Sequence, residues 1–293
     1  MSWPETVAER RMLLFAVLMG LVIAGWMFYF MRNAWLKTWE ERERRRPKPD
    51  NPVYAGAAPP TGPYVAALGV GAIRAAEYEE PVDKLDYTRS KKRAQALLVE
   101  ELGESARDNV PRALRALLGG EAEDPASGIA LVEEALRQRT KSGPELWTFA
   151  LEQFATARGL PYAERQSMLA IAVDIGRAED RLRLDGLLGP GEYIPSLLAN
   201  HWADGVHVVR CAMRAGWLPT PQGLEYLERA GGLTAKWYPT WSTVISAQLL
   251  PALLSDDAAE LVWRVPVARR LMSDGPSPFR VPLRGGFGLA GTR

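Results

Sequence analysis

Asp204, His207 and Arg210 are the residues whose types and spacing best suit acid–base chemistry. They follow one another at three-residue intervals in HWADGVHVVR, residues 201–210. Side chains three apart on a helix are neighbours, and a carboxylate within hydrogen-bond reach of an imidazole can take part in proton transfer. The three residues are therefore candidate catalytic residues of a hydrolase-like enzyme. The structural alternative is that Asp204 pairs with His207 or Arg210 and pins this helix to its neighbour.

The sequence predicts no metal or cofactor. The chain has two histidines, His201 and His207, and their six-residue spacing places them roughly 120° apart on a helix of about 3.6 residues per turn. That spacing is poor for two ligands of one ion. The one cysteine, Cys211, excludes cysteine-rich zinc sites and internal disulfides. No GxSxG, phosphate-binding P-loop or GxGxxG motif is present.

Charged side chains also crowd the stretch DIGRAEDRLR, residues 174–183. Asp174 and Arg177 are spaced to pair on a helix, as are Glu179 and Arg183. Carboxylates with basic neighbours can serve acid–base chemistry, but such a run is more often a solvated helix face. We expect the solvated face here.

Aromatic residues are concentrated in the last third of the chain. Most should be core, because aromatic side chains bury large areas, and any that stay exposed would mark a surface that binds a partner, since binding hot spots favour Trp, Tyr and Arg. The candidate binding residues are Trp217, Trp237, Tyr238, Trp241 and Arg210.

The order of several short motifs in residues 146–283 resembles the uncharacterised bacterial domain-of-unknown-function family 1266. The matching positions are Asp204 with Arg210, Gly216 with Trp217, Tyr238 with Trp241, and Ser277 with Pro278 and Phe279. The family has no established activity. The resemblance therefore implies a mostly helical fold and no particular reaction.

Helical periodicity dominates the chain from residue 88 onward. Apolar residues recur at helical spacing, and Pro, Gly, Ser, Thr and Asp stand where helices begin or stop. We predict a mainly α domain of about nine helices over residues 64–284, with a helix at 222–230 ending at Gly231-Gly232 and a last helix ended or kinked by Pro266. The apolar, glycine-containing stretch 64–73 is predicted to be a short strand or extended segment packed on this domain.

Residues 12–31 form an uncharged apolar run of twenty residues. As a helix it would be about 30 Å long, which matches the hydrocarbon core of a bilayer, and the aromatic residues at its far end suit a membrane interface. We predict an uncleaved single-pass anchor. Two basic residues precede the run and seven follow it within residues 32–48, so the positive-inside rule favours a cytoplasmic C-terminal domain; the alternative is an exported, periplasmic domain.

The remaining segments connect or end the domain. Residues 1–46 comprise the anchor and a charged helical stalk, residues 47–63 are a Pro/Gly-rich linker, and residues 285–293 are a flexible tail. Basic residues of the stalk could contact anionic lipid head groups beside the span at 12–31; they are Arg42, Arg44, Arg45 and Arg46.

Charge argues against a nucleic-acid ligand. Beyond residue 48 the chain carries 27 basic and 30 acidic residues, whereas nucleic-acid-binding domains are usually strongly basic. Four features favour a binding or adaptor protein of the bacterial inner membrane with a protein partner. They are the predicted anchor, the linker, the aromatic-rich C-terminal third and the lack of catalytic motifs. It could belong to an envelope or secretion system or act as an immunity protein. The competing hypothesis is a membrane-tethered enzyme using Asp204, His207 and Arg210.

Overall fold

A computed structural model describes residues 48–86, 90–119 and 128–283. The predicted membrane span at 12–31, the stalk with its arginines and the predicted tail at 285–293 lie outside these residues. Within the described part of the chain, none of the helices is long and apolar enough to cross a membrane. The prediction of a mainly α, multi-helix domain is confirmed.

The described ranges contain eleven α-helices and two short 3₁₀ turns. Within these ranges the only β pairing is an isolated bridge between Val53 and Pro81. The 3₁₀ turns are Pro144–Leu146 and Pro278–Arg280. The helices are α1 Val65–Val70, α2 Ala72–Glu77, α3 Lys91–Leu102, α4 Ala106–Gly119, α5 Gly128–Ser142, α6 Trp147–Ala157, α7 Tyr162–Leu184, α8 Leu198–Ala215, α9 Thr220–Trp237, α10 Trp241–Leu254 and α11 Ala258–Ser273.

Helix α8 is the centre of the domain. Twelve of its eighteen residues are buried, and it contacts α1, α2, α3, α4, α9 and α10. A helix buried on nearly all sides needs neighbours that approach closely, and Gly205 provides room for one of them, because a Cβ there would lie 2.7 Å from Leu118 Cδ2. Helices α5, α6 and α7 pack on one another, and α10 joins α7 to α8 and α11.

The predicted strand at 64–73 is wrong, because this stretch forms α1 and the start of α2. Every residue of α1 is buried, so the segment is packed on the domain as expected. A short apolar run buried on all sides has no polar face, and periodicity cannot distinguish a strand from a helix in that case. Gly69 allows the Trp241 ring to pack against this helix, since a Cβ there would lie 2.2 Å from Trp241 Cη2.

The predicted helix end at Gly231-Gly232 is also wrong, and of the two alternatives predicted at Pro266, an end or a kink, the structure excludes the end. Helix α9 continues through Gly231 and Gly232 to Trp237, and α11 continues past Pro266 to Ser273. Gly231 is buried, and the residues after Pro266 that face the core, Val267 and Leu271, are fully buried. Packing of these helices therefore outweighs the local cost of a helical glycine or proline.

Residues 48–63 are irregular, as the prolines predict, yet they contact the helical domain at defined points. Val53 accepts a hydrogen bond from the Val82 N–H at 2.9 Å, and the N–H groups of Ala55 and Gly56 donate to the Asp83 carboxylate at 2.7 and 2.8 Å. The Tyr54 hydroxyl donates to Asp274 at 3.2 Å. These contacts hold the segment against the loop after α2 and the end of α11.

Candidate functional site

Arg74 on α2 is the hub of a polar cluster at the surface of α8. Its guanidinium contacts the carboxylates of Glu77 at 2.6 Å, Asp204 at 3.1 Å and Glu101 at 3.2 Å. Glu101 also accepts a hydrogen bond from the Tyr78 hydroxyl at 3.1 Å. We call these residues, together with His207, the Arg74 cluster: Arg74, Glu77, Tyr78, Glu101, Asp204 and His207.

His207 is the most deeply buried member of the Arg74 cluster. Its ring stacks on Tyr78 with centroids 4.4 Å apart, and Nε2 lies 3.5 Å from both Glu101 Oε1 and Cys211 Sγ. Carboxylate and thiol therefore face the same ring nitrogen. A nucleophile–histidine–acid relay needs them on opposite nitrogens, so these three side chains do not form one.

Burial changes the proton affinities in the Arg74 cluster. Desolvation raises the pKa of Glu101 and of Asp204, while Arg74 opposes both increases. Burial, assisted by the charges of Arg74 and Arg210, holds the pKa of His207 well below its usual value. A neutral imidazole beside carboxylates of raised pKa could transfer protons, but none of these residues lines either of the two concavities described below.

Arg210 lies outside the Arg74 cluster. It is 3% exposed, and its guanidinium donates to the backbone oxygens of Leu85 at 3.2 Å and Pro81 at 3.0 Å. Asp204 and His207 are thus linked through Arg74 and Glu101. Arg210 instead holds the loop after α2 on α8. The three predicted catalytic residues do not converge on a common pocket.

No group of three or more His, Cys, Asp or Glu side chains in the described ranges is arranged to hold a metal ion. Sequence reasoning missed Arg74 and Glu101, the two residues that link Asp204 to His207. The signal in the sequence was the three-residue spacing of Arg74 and Glu77. These residues directly follow the stretch 64–73, which was interpreted as a strand or extended segment.

A cleft of about 750 Å³ lies between α7, the end of α10 and α11. Apolar side chains such as Leu253, Leu261 and Val265 line it, and Val262, 74% exposed, stands at its edge. Its rim carries paired charges of both signs: Arg177 contacts Asp174 at 3.2 Å, and Arg181 and Arg269 contact Asp185 at 3.1 and 2.7 Å. We call it the α7–α11 cleft. The second concavity, beside Trp241 and Leu283, has room for about 10 Å³.

The aromatic binding candidates separate into core and surface residues. Tyr238 is fully buried; its hydroxyl donates to Ser196 O at 2.7 Å and accepts from the Ala199 N–H at 3.0 Å, which caps the start of α8. Trp241 is also buried and donates to Val281 O at 2.8 Å. Trp217 is half-buried against the core. Trp237, 42% exposed, is the most exposed of these four aromatic residues.

The expectation that residues 174–183 form a solvated helix face is wrong at Glu179. Asp174 and Arg177 pair on the exposed face as predicted. Glu179, however, is buried and forms a two-pronged ion pair with Arg139 of α5 at 2.7 and 2.9 Å. Arg183, its predicted partner, lies farther away at 3.7 Å.

No protein-family model, no curated protein and no solved structure matches this chain. The resemblance to family 1266 thus stays a prediction, and the proposals below rest on the geometry of the molecule.

Replacing His207 should make folding less sensitive to acid. Because the folded state keeps this imidazole neutral, the unfolded state binds the extra proton below pH 6.5, and stability is lost as pH falls from 6.5 toward the depressed folded pKa. At pH 5.5 the loss attributable to His207 should be about 1 kcal/mol. Urea unfolding of the His207→Gln variant at pH 7.5 and 5.5 should show a pH-dependent fall smaller by that amount.

Equal falls for wild type and His207→Gln would contradict the interpretation of a neutral buried imidazole.

Proposed function

We propose that the protein is a membrane-anchored binding or adaptor protein whose helical domain holds a protein partner in the α7–α11 cleft. The observation that carries this proposal is the cleft itself, with its apolar lining and charged rim. Protein-binding sites combine an apolar centre with a polar rim. Because the rim alternates acidic and basic side chains, it suits an amphipathic helix with charges of both signs better than a ligand of one sign.

The Arg74 cluster gives less support to the enzyme alternative. Arg74 is engaged by three carboxylates, His207 is 4% exposed, and Arg210 is committed to backbone oxygens. These contacts join α2, α3 and α8, which is what a structural clamp would do. The proposal therefore assigns the cluster to folding and the cleft to binding.

The membrane part of the proposal rests on the apolar run at residues 12–31. We place the anchor in the bacterial inner membrane and the domain in the cytoplasm, in an envelope or secretion-associated system or as an immunity protein. Topology is tested with a single cysteine: Ala57→Cys in a Cys211→Ser background, labelled by a membrane-impermeant maleimide in cells with a permeabilised outer membrane. Labelling only after lysis supports the cytoplasmic domain, and labelling of intact cells contradicts it.

Partner binding is tested by placing a photo-crosslinking amino acid at Val262, with the same change at Val99 as control. Val99 is an exposed valine of α3 that does not line the cleft. We expect one protein adduct from position 262, absent from position 99 and lost when Ala258→Glu introduces a charge into the cleft. Identical adduct patterns at the two positions, or an adduct unaffected by Ala258→Glu, would exclude the cleft as the binding site.

A further inference from the structure

The outer face of α7 carries three large apolar side chains in solvent. Tyr162, Val173 and Leu184 are 70%, 50% and 85% exposed. They are spaced eleven residues apart, which is about three turns with a drift of only roughly 20°. They therefore form one straight stripe along the helix, on the side opposite the buried Met168, Ile175 and Leu182. Single exposed apolar residues are ordinary, whereas an aligned set on a 23-residue helix is a feature to explain.

The stripe is symmetric about Val173, which is the midpoint of α7. If a second α7 lies antiparallel with Val173 opposite Val173, then Tyr162 of each helix faces Leu184 of the other. This is the pattern of a twofold interface, where residue i meets j and j meets i. One turn on either side of Val173 the chain has Ala170 and Gly176, and a Cβ at Gly176 would meet nothing within 4 Å. Small residues near the crossing permit close approach of the two helices.

Charge follows the same symmetry. Arg165 lies eight residues before Val173 and Asp180 seven residues after it, and at about 100° per residue they stand roughly 80° and 20° from Val173 in the same direction. In the antiparallel arrangement the Arg165 of one copy and the Asp180 of the other lie within about 1.5 Å of the same height along the axis. Asp180 is 76% exposed on its side chain, so it can accept a second partner besides Arg183 at 2.8 Å.

We propose that two copies of this chain associate through an antiparallel, twofold contact between their α7 helices, centred on Val173. The apolar stripe supplies the buried contact and the Arg165–Asp180 pairs set its direction. The association and the proposed partner use different parts of α7: the cleft residues Asp174, Ala178 and Arg181 lie on one flank of the stripe, and Arg177, one turn after Val173, is the cleft residue nearest to it.

Disulfide crosslinking of the full chain in its membrane, in a Cys211→Ser background, tests the geometry. Val173→Cys alone should give a covalent dimer on mild oxidation, because the twofold axis brings the two sulfurs together. Tyr162→Cys and Leu184→Cys should each give little dimer alone and a mixed dimer when both are expressed together. Val99→Cys, at a valine that is 40% exposed, reports random collision and should give at least tenfold less dimer than Val173→Cys.

Several outcomes would overturn the proposal. Equal crosslinking at positions 99 and 173 would show no specific contact. Efficient dimers of Tyr162→Cys alone or Leu184→Cys alone would show a parallel contact instead.

The charge pairing has its own test in the Val173→Cys background. Asp180→Arg places like charges opposite each other twice in the dimer and should reduce the crosslinked fraction about tenfold, equivalent to ~1.4 kcal/mol. Adding Arg165→Asp restores opposite charges and should restore the dimer. Failure of the second change to rescue the first would reject the antiparallel register. Ala258→Glu, which blocks the cleft, should leave this crosslink intact, so loss of partner binding and loss of self-association are distinguishable.

Discussion

Replacing Arg139 by alanine is expected to lower the free energy of unfolding by about 3–5 kcal/mol. Arg139 and Glu179 are 3% and 4% exposed on their side chains. The guanidinium also donates to Ile194 O at 2.8 Å and lies between the rings of Trp147 and Tyr193, at 4.3 and 5.0 Å from their centroids. Its removal would leave the Glu179 carboxylate in the interior without its main counter-charge. The measurement is urea unfolding of the full chain followed by near-ultraviolet circular dichroism.

Arg137→Ala is the matched control, because Arg137 lies on the same helix and is 54% exposed, and its partner Glu134, 11% exposed, keeps a hydrogen bond from Gln138 at 2.6 Å. Its effect should stay within about 0.5 kcal/mol. The double variant Arg139→Met with Glu179→Leu removes both charges and should recover at least half of the lost stability, since an apolar pair needs no counter-ion. An Arg139→Ala protein as stable as Arg137→Ala would show that the buried pair contributes nothing.

Gly69→Ala is expected to lower the free energy of unfolding by about 2–3 kcal/mol. The new Cβ would lie 2.2 to 2.9 Å from three atoms of the Trp241 ring. The ring is held in place, because Nε1 donates a hydrogen bond to Val281 O at 2.8 Å and the ring stacks on Phe279 with centroids 4.6 Å apart. Thermal unfolding and near-ultraviolet circular dichroism, which reports tryptophan packing, should both register the change.

Gly232→Ala is the control, because it changes a helical glycine that has open space around it. Nothing lies within 4 Å of a Cβ at Gly232, so alanine should stabilise α9 by about 0.5–1 kcal/mol through its higher helix propensity. If Gly69→Ala were also stabilising, the close packing of α1 against Trp241 would be incorrect.

The sequence predicts helices well where one face is apolar and the other polar. In residues 90–101 the apolar Ala94, Leu97 and Leu98 share one face, which predicts the helix that the structure shows as α3, with its first turn capped by the Ser90 side chain. Prediction failed at α1, which is buried all round, at the helix end predicted inside α9 and at the end that was one of two alternatives inside α11. Those ends are decided by partners distant in sequence, which local patterns do not contain.

The candidate site was predicted only in part for the same reason. Asp204 and His207 could be chosen from their spacing, but their link passes through Arg74 and Glu101, which lie more than a hundred residues earlier in the chain. The sequence did contain a signal for the buried Arg139–Glu179 pair. Arg139 continues the apolar series of Val132, Ala135 and Leu136, and a charge in an apolar stripe indicates a buried partner.

The attachment of residues 53–56 also determines how the domain would bear a mechanical load. Tension arriving along the chain from before Lys48 would reach these residues before it reached α1. It would be divided between Val82 and Asp83 after α2 and Asp274 after α11, two parts of the fold far apart in sequence. Several hydrogen bonds would then have to break before force reached α1. Under a pull on the chain before Lys48, the attachment of residues 53–56 would therefore break first, and the helical core would stay folded.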